Sequence, residues 1–372
     1  MGTVVVVGAG MVGTMIAYRL AEAGVRVTLV ESAFAGSGST GAAMGHIVVM
    51  DDSPEQLALC AHSRARWDEL AATLPPSGEH EHAGTLWLAT SDAELAGATA
   101  RVAGYQRAGI DACVVNDVEL YRLEPSVRRG LAGALRVPGD AVCYPPAIAR
   151  SLAERVMALG GALLRRSVAS LAAHRVALDD GSIVTADAIV VAAGVSSPSL
   201  VAGLPIVPRK GHLVITDRHP GLVHHQLVEL GYLHSAHTFS GASVAFNVQP
   251  RRTGQLLIGS SRELVGYDAT FNHDLVGQML DRATHFVPAI AQVRAVRSWI
   301  GFRPATPDKL PLIGRWPAEE GLWIAAGHEG LGITMATGTA DLIVAGLLER
   351  TPPVDPERFR PDRVMPAMER VA

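Results

Sequence analysis

The stretch Val4-Val5-Val6-Val7-Gly8-Ala9-Gly10-Met11-Val12-Gly13 joins a run of four valines directly to a glycine-rich motif. The valine run predicts a buried strand, and residues 12–23, with apolar side chains at helical spacing, predict a helix that follows it. In such a turn Gly8 allows the tight bend, Gly10 lets a ligand approach the backbone, and Gly13 lets the helix pack closely on the strand.

A second strand, predicted over residues 25–30, ends on Glu31, which lies 23 positions after Gly8 (31 − 8). A carboxylate at this place in a βαβ unit hydrogen-bonds a ribose hydroxyl and disfavours a 2′-phosphate. The pyrophosphate is expected at the helix N-terminus. The motif therefore predicts a nucleotide of the ADP-ribose type, as in FAD or NAD, and does not by itself choose between the two.

The chain has 372 residues, of which 48% are hydrophobic and 38 are glycines. This length and composition predict a folded α/β protein of two domains that share a cleft. The formal net charge of −4 provides no basic surface, which argues against a nucleic-acid partner. Cys60, Cys113 and Cys143 are odd in number and widely spaced, so we expect neither a disulfide framework nor a metal site.

The first apolar run has no basic segment before it and is itself the predicted strand, so we expect no cleavable signal peptide. No apolar run reaches the roughly 18 to 20 residues that cross a bilayer. We therefore expect no transmembrane segment and a cytoplasmic location. Attachment to the inner face of a membrane through a partner is left open by the sequence.

The rest of the chain predicts two kinds of region. The predicted helices cover residues 54–74, 92–109, 118–124, 146–159 and 274–286. The predicted strands cover residues 85–90, 133–137, 162–170, 175–179, 182–185, 188–193, 244–248, 255–259 and 322–326. Residues 211–296 differ from the rest because they alternate as the strands of an antiparallel sheet with a covering helix.

We therefore predict an α/β fold in which a discontinuous Rossmann-like nucleotide domain carries an inserted substrate domain of antiparallel sheet plus helices. The predicted nucleotide domain comprises residues 1–84, 142–208 and 297–372. The predicted substrate domain comprises residues 85–141 and 209–296.

Two segments rich in small residues predict contacts with a long cofactor. Residues 32–45 follow Glu31 and let the backbone lie against a planar group. Near the end of the chain, a predicted strand leads into Gly327-His328-Glu329-Gly330-Leu331-Gly332-Ile333-Thr334 and then a helix. Free N–H groups at such a helix start suit a second electron-rich group, such as N1 and O2 of a reduced flavin. The pattern therefore favours FAD over NAD.

The order of these motifs resembles that of the D-amino-acid-oxidase-type FAD superfamily, which includes glycine oxidase, sarcosine oxidase and several amino-acid dehydrogenases. The resemblance covers essentially the whole chain. It rests on the N-terminal motif with Glu31 and on residues 36–45, 192–194, 301–308 and 327–334. Within the superfamily, residues 44–52, 246–251 and 327–334 are similar to D-hydroxyproline dehydrogenases, which we favour, and to the flavin subunit of hydrogen cyanide synthase.

The resemblance implies FAD bound without a covalent link, because none of the cysteines lies in the closing region where sarcosine oxidases attach the flavin. The residues that it implies for the cofactor are Gly8, Gly10, Met11, Val12, Gly13, Glu31, Ser39, Thr40, Ala43, Met44, Gly45, Val168, Ala193, Gly194, Arg303, Gly330, Leu331, Gly332, Ile333 and Thr334.

The resemblance also implies that Arg303 pairs with the α-carboxylate of the substrate, for which a planar guanidinium is better suited than an ammonium group. Asn247 stands where glycine oxidase has a tyrosine, and its amide could hydrogen-bond a ring hydroxyl. Further candidates for the substrate pocket are His46 and His328, which flank the expected flavin, together with Arg262, Tyr232 and His234.

The implied activity is oxidation of the Cα–N bond of a cyclic imino acid, with 4-hydroxy-D-proline as the favoured substrate and a pyrroline carboxylate as the product. Hydride would pass from Cα to flavin N5. We assign no catalytic acid, base or nucleophile, because the site has mainly to orient Cα and fix the carboxylate. The closing loop reads Glu329-Gly330 where glycine oxidase has a second basic residue, which argues against glycine as the substrate.

Three alternatives remain: a glycine- or sarcosine-type oxidase, a flavin subunit of a hydrogen cyanide synthase-like complex, and an NAD-dependent dehydrogenase. The closing glycine loop argues against the last. The reduced flavin would pass electrons to oxygen, or to a carrier protein, a quinone or an iron–sulfur partner subunit.

Overall fold

The structure, a computed structural model, describes residues 2–231 and 241–364 of the chain. Its helices are α1 (Met11–Glu22), α2 (Gly38–Gly41), α3 (Pro54–Ala71), α4 (Asp92–Arg107), α5 (Asp117–Leu123), α6 (Pro145–Ala158), α7 (Ser197–Leu200), α8 (His273–Phe286) and α9 (Ala336–Leu347). Each predicted helix is confirmed to within a few residues at its ends. At the start of α3, Ser53 Oγ accepts a hydrogen bond from the N–H of Gln56 at 3.1 Å, and Pro54 occupies the first turn.

The strands, in chain order, are β1 (Thr3–Val7), β2 (Arg26–Glu31), β3 (His46–Ile47), β4 (Thr85–Ala89), β5 (Cys113–Asn116), β6 (Gly133–Val137), β7 (Ala141–Val142), β8 (Ala162–Arg165), β9 (Val168–Ala172), β10 (Arg175–Leu178), β11 (Ile183–Thr185), β12 (Ala188–Val191), β13 (Val207–Arg218), β14 (Gln226–Glu229), β15 (Ser243–Pro250), β16 (Gln255–Arg262), β17 (Ala295–Ala305), β18 (Leu312–Arg315) and β19 (Leu322–Ala326).

The N-terminal motif lies at the centre of a six-stranded sheet with the strand order β18-β19-β12-β1-β2-β8. All neighbouring strands are parallel except β18, which runs antiparallel to β19. Side chains alternate across the sheet, so Val4 and Val6 pack with helices α1, α6 and α9, whereas Val5 and Val7 pack with the small sheet β11-β10-β9 on the other face. Both faces of the parallel sheet are thus covered, which explains its continuous valine run.

The second large sheet has eight strands in the order β17-β13-β16-β15-β14-β4-β6-β5. Its neighbours are antiparallel except for β14 and β4. Helix α8 covers one face, where the rings of Phe246 and Phe286 stack at 4.4 Å. Because side chains alternate along β15, the same arrangement turns Asn247 to the opposite face. The predicted α/β fold, with an antiparallel sheet inserted into a Rossmann-like unit, is confirmed.

One predicted strand is wrong. Residues 162–170 were predicted as a single strand, but the structure divides them between β8 and β9, which belong to different sheets. The N–H of Arg166 donates to the carbonyl of Glu31, and the carbonyl of Ser167 accepts from Asp179 N. The chain therefore leaves the parallel sheet between these two residues and enters the small sheet β11-β10-β9.

The bounds of the two domains stay a proposal. Strands β13 and β17 run across two of the proposed bounds, since they begin at Val207 and Ala295. Within residues 2–231 and 241–364, no helix combines the length and apolar character that crossing a membrane requires. The two large sheets meet at the carboxyl ends of the parallel strands, where α/β folds bind their ligands.

Candidate functional site

A cavity of about 500 Å³ lies between the two large sheets. One end reaches the turns that follow β1, β2 and β12 and the start of α1. The other end is lined by side chains of β13, β14, β15, β16 and β17 and by the loop before α9. We call these the nucleotide end and the substrate end. A cavity of this size falls within the range of small-molecule and cofactor sites.

The nucleotide end depends on glycines because backbone segments approach one another closely there. Gly8 has φ +102, and a Cβ atom on it would lie 2.6 Å from the carbonyl oxygen of Ala192. A Cβ atom on Gly13 would lie 1.9 Å from the carbonyl oxygen of Gly8. Both distances are far below van der Waals contact, so α1 can pack on β1 and β12 only with glycine at these positions.

Glu31 forms the edge of the nucleotide end. Its side chain accepts hydrogen bonds from the backbone N–H groups of Ala9 at 2.8 Å and Ala33 at 2.9 Å, one on each carboxylate oxygen. These bonds fix the carboxylate against the cavity, of whose lining it is part. A carboxylate oxygen accepts more than one hydrogen bond, so Glu31 can also accept from a ribose hydroxyl. The residues at this end therefore fit a dinucleotide.

Most of the residues predicted for the cofactor line the cavity: Gly8, Gly10, Met11, Val12, Glu31, Ser39, Thr40, Ala43, Met44, Gly45, Val168, Ala193, Gly194, Arg303, Gly330, Leu331, Gly332 and Ile333. Gly13 and Thr334 are not part of this lining. Gly13 lies at the contact of α1 with Gly8, and Thr334 is fully buried, where its Oγ1 accepts from Val48 N at 3.0 Å.

The segment of small residues after Glu31 is held against β17. Ser39 Oγ donates to the carbonyl of Phe302 at 2.7 Å, and Trp299 Nε1 donates to the carbonyl of Ala42 at 3.2 Å. A Cβ atom on Gly301 would lie 2.5 Å from the Ala42 Cβ. Because this segment is bound along its length, it forms a fixed wall of the cavity.

Both predicted histidines line the cavity, where burial favours the neutral form of each imidazole. Burial lowers the pKa of the His46 imidazole to about 4. Its Nε2 lies 3.2 Å from the carbonyl oxygen of Gly330, so Nε2 carries the proton and Nδ1 is an acceptor. Burial lowers the pKa of His328 to about 3, and its Nε2 lies 2.9 Å from Thr339 Oγ1. Tyr232 and His234 lie outside the described residues.

The substrate end contains a cluster of charged side chains, Arg209, Arg262, Arg303 and Glu329, which we call the arginine cluster. All four line the cavity. Glu329 Oε1 lies 3.4 Å from Arg209 Nη1 and 3.7 Å from Arg262 Nε. Burial by itself raises the pKa of the Glu329 carboxyl. The nearby charges of Arg262, Arg303 and Arg209 outweigh this effect and lower the pKa to about 2. Glu329 is therefore ionised at neutral pH, and three arginines surround one carboxylate.

Arg303 is positioned by the neighbouring strands. Its Nη1 donates to the carbonyl of Ser261 at 3.1 Å. The guanidinium lies over Gly211, where a Cβ atom would come within 2.3 Å of Nη1. Glycine at this position of β13 therefore leaves the space that the arginine occupies.

The substrate end also exposes buried polar atoms to the cavity. Asn247 Oδ1, Gln226 Oε1 and Ser260 Oγ have no hydrogen-bond partner among the residues that the structure describes. All three residues line the cavity and are at most 5% exposed. Unpaired buried polar atoms are costly, so their presence together points to a polar ligand at this end.

Several of these residues were missed by the sequence reasoning. Arg209 and Gly211 lie inside β13, and no local motif distinguishes them from other strand residues. The register of β13 with β17 sets Arg209 opposite Arg303 and Gly211 opposite Gly301. Gln226 and Ser260 carry no local signal either. Glu329 was noted only as a departure from glycine oxidase, whereas the structure gives it the arginines as partners.

The chain is similar to known proteins along most of its length. The sequence model of the family described as "DAO: FAD dependent oxidoreductase" matches residues 3–345. Glycine oxidase from Geobacillus kaustophilus is 30% identical and aligns over 93% of each chain. Its crystal structure superposes with a TM-score of 0.86 at 28% identity, over 98% of this chain and 100% of that one.

Two further relatives carry other names. D-amino acid dehydrogenase 2 from Ralstonia nicotianae is 28% identical and aligns over 94% of this chain and 97% of that protein. Hydrogen cyanide synthase subunit HcnC from Pseudomonas aeruginosa is 29% identical over 68% of this chain and 60% of that protein.

Proposed function

The chain belongs to the family of FAD-dependent oxidoreductases, and on that premise we propose that it oxidises the Cα–N bond of a cyclic imino acid. The proposed substrate is 4-hydroxy-D-proline, and the proposed product is a pyrroline carboxylate. The single observation that carries this proposal is the substrate end itself, which combines Arg303 with unpaired buried polar atoms on Asn247, Gln226 and Ser260.

FAD is the cofactor, and it accepts the hydride when bound. The proposal assigns its nucleotide half to the glycine turn after β1 and to Glu31, and its flavin half to the cavity between Met44 and residues 330–333. The proposal includes noncovalent binding, since Cys60 and Cys143 are buried and Cys113 is not part of the cavity lining. Acid precipitation should then release the whole yellow colour into the supernatant.

Arg303 is proposed to bind the substrate carboxylate. A guanidinium can donate two parallel hydrogen bonds to a carboxylate, which fixes the orientation of the bound acid as well as its position. The carbonyl of Ser261 and the space above Gly211 hold the guanidinium in place. With the carboxylate fixed, Cα and the ring nitrogen can take only a narrow range of positions, which is the main requirement for hydride transfer.

Asn247, Gln226 and Ser260 are proposed to recognise the ring hydroxyl. Their unpaired atoms are acceptors or, for Ser260, a hydroxyl that both donates and accepts. A ring hydroxyl satisfies such an atom, whereas an unsubstituted ring leaves it buried and unpaired. A site built to hydrogen-bond a substrate hydroxyl discriminates strongly against the analogue that lacks it.

No general acid or base is assigned. The substrate amine has to lose its proton before hydride can leave Cα, and His46 stays neutral well below neutral pH because burial holds its pKa at about 4. Its Nδ1, buried without a partner among the described residues, is a hydrogen-bond acceptor that can receive an N–H of the substrate amine. The proposed task of His46 is thus to help orient the amine.

A second candidate is a glycine- or sarcosine-type oxidase. The observation that favours it is the 30% identity with the glycine oxidase of Geobacillus kaustophilus. A third is a flavin subunit that acts only within a complex, which the likeness to HcnC favours.

The proposal includes a cytoplasmic location and electron transfer onward to oxygen, a quinone or a partner subunit. Activity of the isolated chain with an artificial dye would argue against a subunit that acts only in a complex.

The proposed function is tested by anaerobic titration of the purified protein with 4-hydroxy-D-proline, D-proline, sarcosine and glycine. The readout is the flavin absorbance near ~450 nm. The proposal predicts bleaching at the lowest concentration with 4-hydroxy-D-proline. Bleaching by glycine alone would favour the oxidase or the cyanide synthase-like subunit, and the absence of a flavin band would contradict the whole assignment.

A further inference from the structure

The arginine cluster holds more positive charge than one substrate carboxylate requires. Arg209 stands directly opposite Arg303 in the antiparallel register of β13 and β17. Like charges opposite each other across two strands are destabilising. Arg262, at the end of the neighbouring strand β16, adds a third guanidinium to the same cavity. Anions placed among the arginines offset this repulsion.

Glu329 supplies one such anion from within the chain. Its Oε1 faces Arg209 and Arg262 at 3.4 and 3.7 Å. Its Oε2 accepts from the N–H of Gly330 at 2.8 Å. The backbone of Glu329 has φ +47, a conformation that residues other than glycine rarely adopt. Glu329 thus has an unfavourable backbone conformation, and its carboxylate lies against Arg209 and Arg262.

We propose that Arg209 and Arg262 form a second anion subsite beside Arg303, and that Glu329 fills this subsite and thereby restricts the enzyme to substrates with a single carboxylate. The inference rests on the proposed function only in that Arg303 binds the first carboxylate of the ligand. The ligand class excluded by Glu329 is the dicarboxylates, including amino acids with an acidic side chain.

The physical reason is repulsion within a confined space. A second ligand carboxylate close to Arg209 and Arg262 would also lie close to the Glu329 carboxylate, in a cavity where charges are poorly screened. If the carboxylate of Glu329 is replaced by an amide of the same shape, the two arginines keep their positions and lose their internal anion. A ligand carboxylate can then take its place.

The test uses the FAD-loaded enzyme and two acids of equal chain length, butyrate and succinate, which are not oxidised. Each is titrated into the wild-type protein and into Glu329→Gln, and the perturbation of the flavin absorbance gives the dissociation constant. We expect wild type to bind succinate no more tightly than butyrate. We expect Glu329→Gln to bind succinate about tenfold more tightly than wild type does, because a charge-assisted hydrogen bond is gained, with butyrate little changed.

The double variant Arg209→Gln, Glu329→Gln is the matched control, and it should lose most of the gain for succinate. The inference is overturned if wild type already prefers succinate, if Glu329→Gln gains nothing, or if the double variant keeps the whole gain. Glu329→Gly also removes the carboxylate and suits the positive φ, so it replaces the first variant if that one does not retain FAD.

The outcome is separable from that of the proposed function. Binding of butyrate and succinate requires no turnover, so the subsite can be supported even if 4-hydroxy-D-proline fails to reduce the enzyme. Conversely, wild type can oxidise 4-hydroxy-D-proline while Glu329→Gln fails to gain affinity for succinate. That result would contradict the second anion subsite and leave the proposed function standing.

Discussion

The two ends of the cavity are built in different ways. The nucleotide end is formed largely by backbone at the turns that follow β1, β2 and β12, and within the first of these Gly8 and Gly13 admit no side chain. The substrate end is formed by charged and polar side chains that come from distant strands, with Arg209 opposite Arg303 only because of the β13–β17 register. A site made of backbone tolerates almost no substitution, whereas a site made of side chains can change its specificity residue by residue.

The largest expected effect tests the backbone end. Gly13→Ala would set a Cβ atom 1.9 Å from the Gly8 carbonyl oxygen, which no rotamer change can relieve. We expect a loss of roughly 3 kcal/mol of stability, typical of severe overpacking, and little or no bound FAD. The ratio of the flavin absorbance to the protein absorbance after purification measures this.

The matched control is Gly104→Ala, in the interior of α4, where an added Cβ atom meets nothing within 4 Å. This variant should bind FAD normally and be more stable by up to about 1 kcal/mol, since alanine favours a helix over glycine. If Gly13→Ala also purified with full FAD content, the close contact of α1 with β1 would not be essential.

The next effect tests the substrate end. Arg303→Lys keeps the charge and loses the planar pair of donors, so kcat/KM per bound FAD should fall by roughly 100-fold. Arg297→Lys, an exposed position on the same strand, serves as the control and should be close to wild type. An equal loss in both variants would mean that Arg303 has no particular role.

A third effect asks whether a backbone requirement also exists at the substrate end. Gly211→Ala would set a Cβ atom 2.3 Å from Arg303 Nη1, but here the obstacle is the end of a flexible side chain. We expect the guanidinium to move and kcat/KM to fall by roughly 30-fold, since misplacement by about 1 Å can cost up to roughly 100-fold. FAD content should not change. A loss of FAD in this variant would mean that the substrate end also depends on a glycine for cofactor binding, as the nucleotide end does.

A smaller effect concerns Asn247. Asn247→Ala removes a buried amide, so the rate with 4-hydroxy-D-proline should fall by roughly three- to tenfold more than the rate with D-proline. The comparison of two substrates on one variant controls for damage to the fold. Equal losses with both would contradict a hydrogen bond donated by the ring hydroxyl to Asn247 Oδ1.

The smallest effect is an expected absence of pH dependence. Because burial lowers the pKa of His46 from its usual value to about 4, it remains neutral throughout pH 5 to 8. His46→Asn should therefore leave the shape of the kcat/KM profile unchanged in this range. A break near the ordinary histidine pKa of ~6.5 that disappears in the variant would show that His46 titrates during turnover.

The difference between the two ends of the cavity also determines which parts of the fold and of the site can be predicted from the sequence. The turn at Gly8, Gly10 and Gly13 could be predicted because its geometry is local and only glycine fits. Successive side chains of β15 point to opposite faces of the sheet. Once the fold was suspected, this alternation could predict that Asn247 faces the cavity.

The remainder depends on pairing between distant strands. The break between β8 and β9 was missed although the polar residues Arg165, Arg166 and Ser167 stand there. Polar residues also occur within strands, and the change of sheet is set by hydrogen bonds with Glu31 and Asp179, which lie far away in the sequence. Arg209 was missed because period-two alternation does not tell which face of a strand is turned to the cavity. Register, and therefore the assembly of the arginine cluster, is a property of the whole sheet.

The central claim is that this cavity aligns an imino acid so that hydride leaves its Cα for FAD. The most direct measurement is the rate of anaerobic flavin bleaching after rapid mixing with 4-hydroxy-D-proline, compared with the same acid deuterated at C2. The account predicts rapid bleaching that is several-fold slower with the deuterated substrate. Absence of bleaching, or bleaching at the same rate with both, would contradict it.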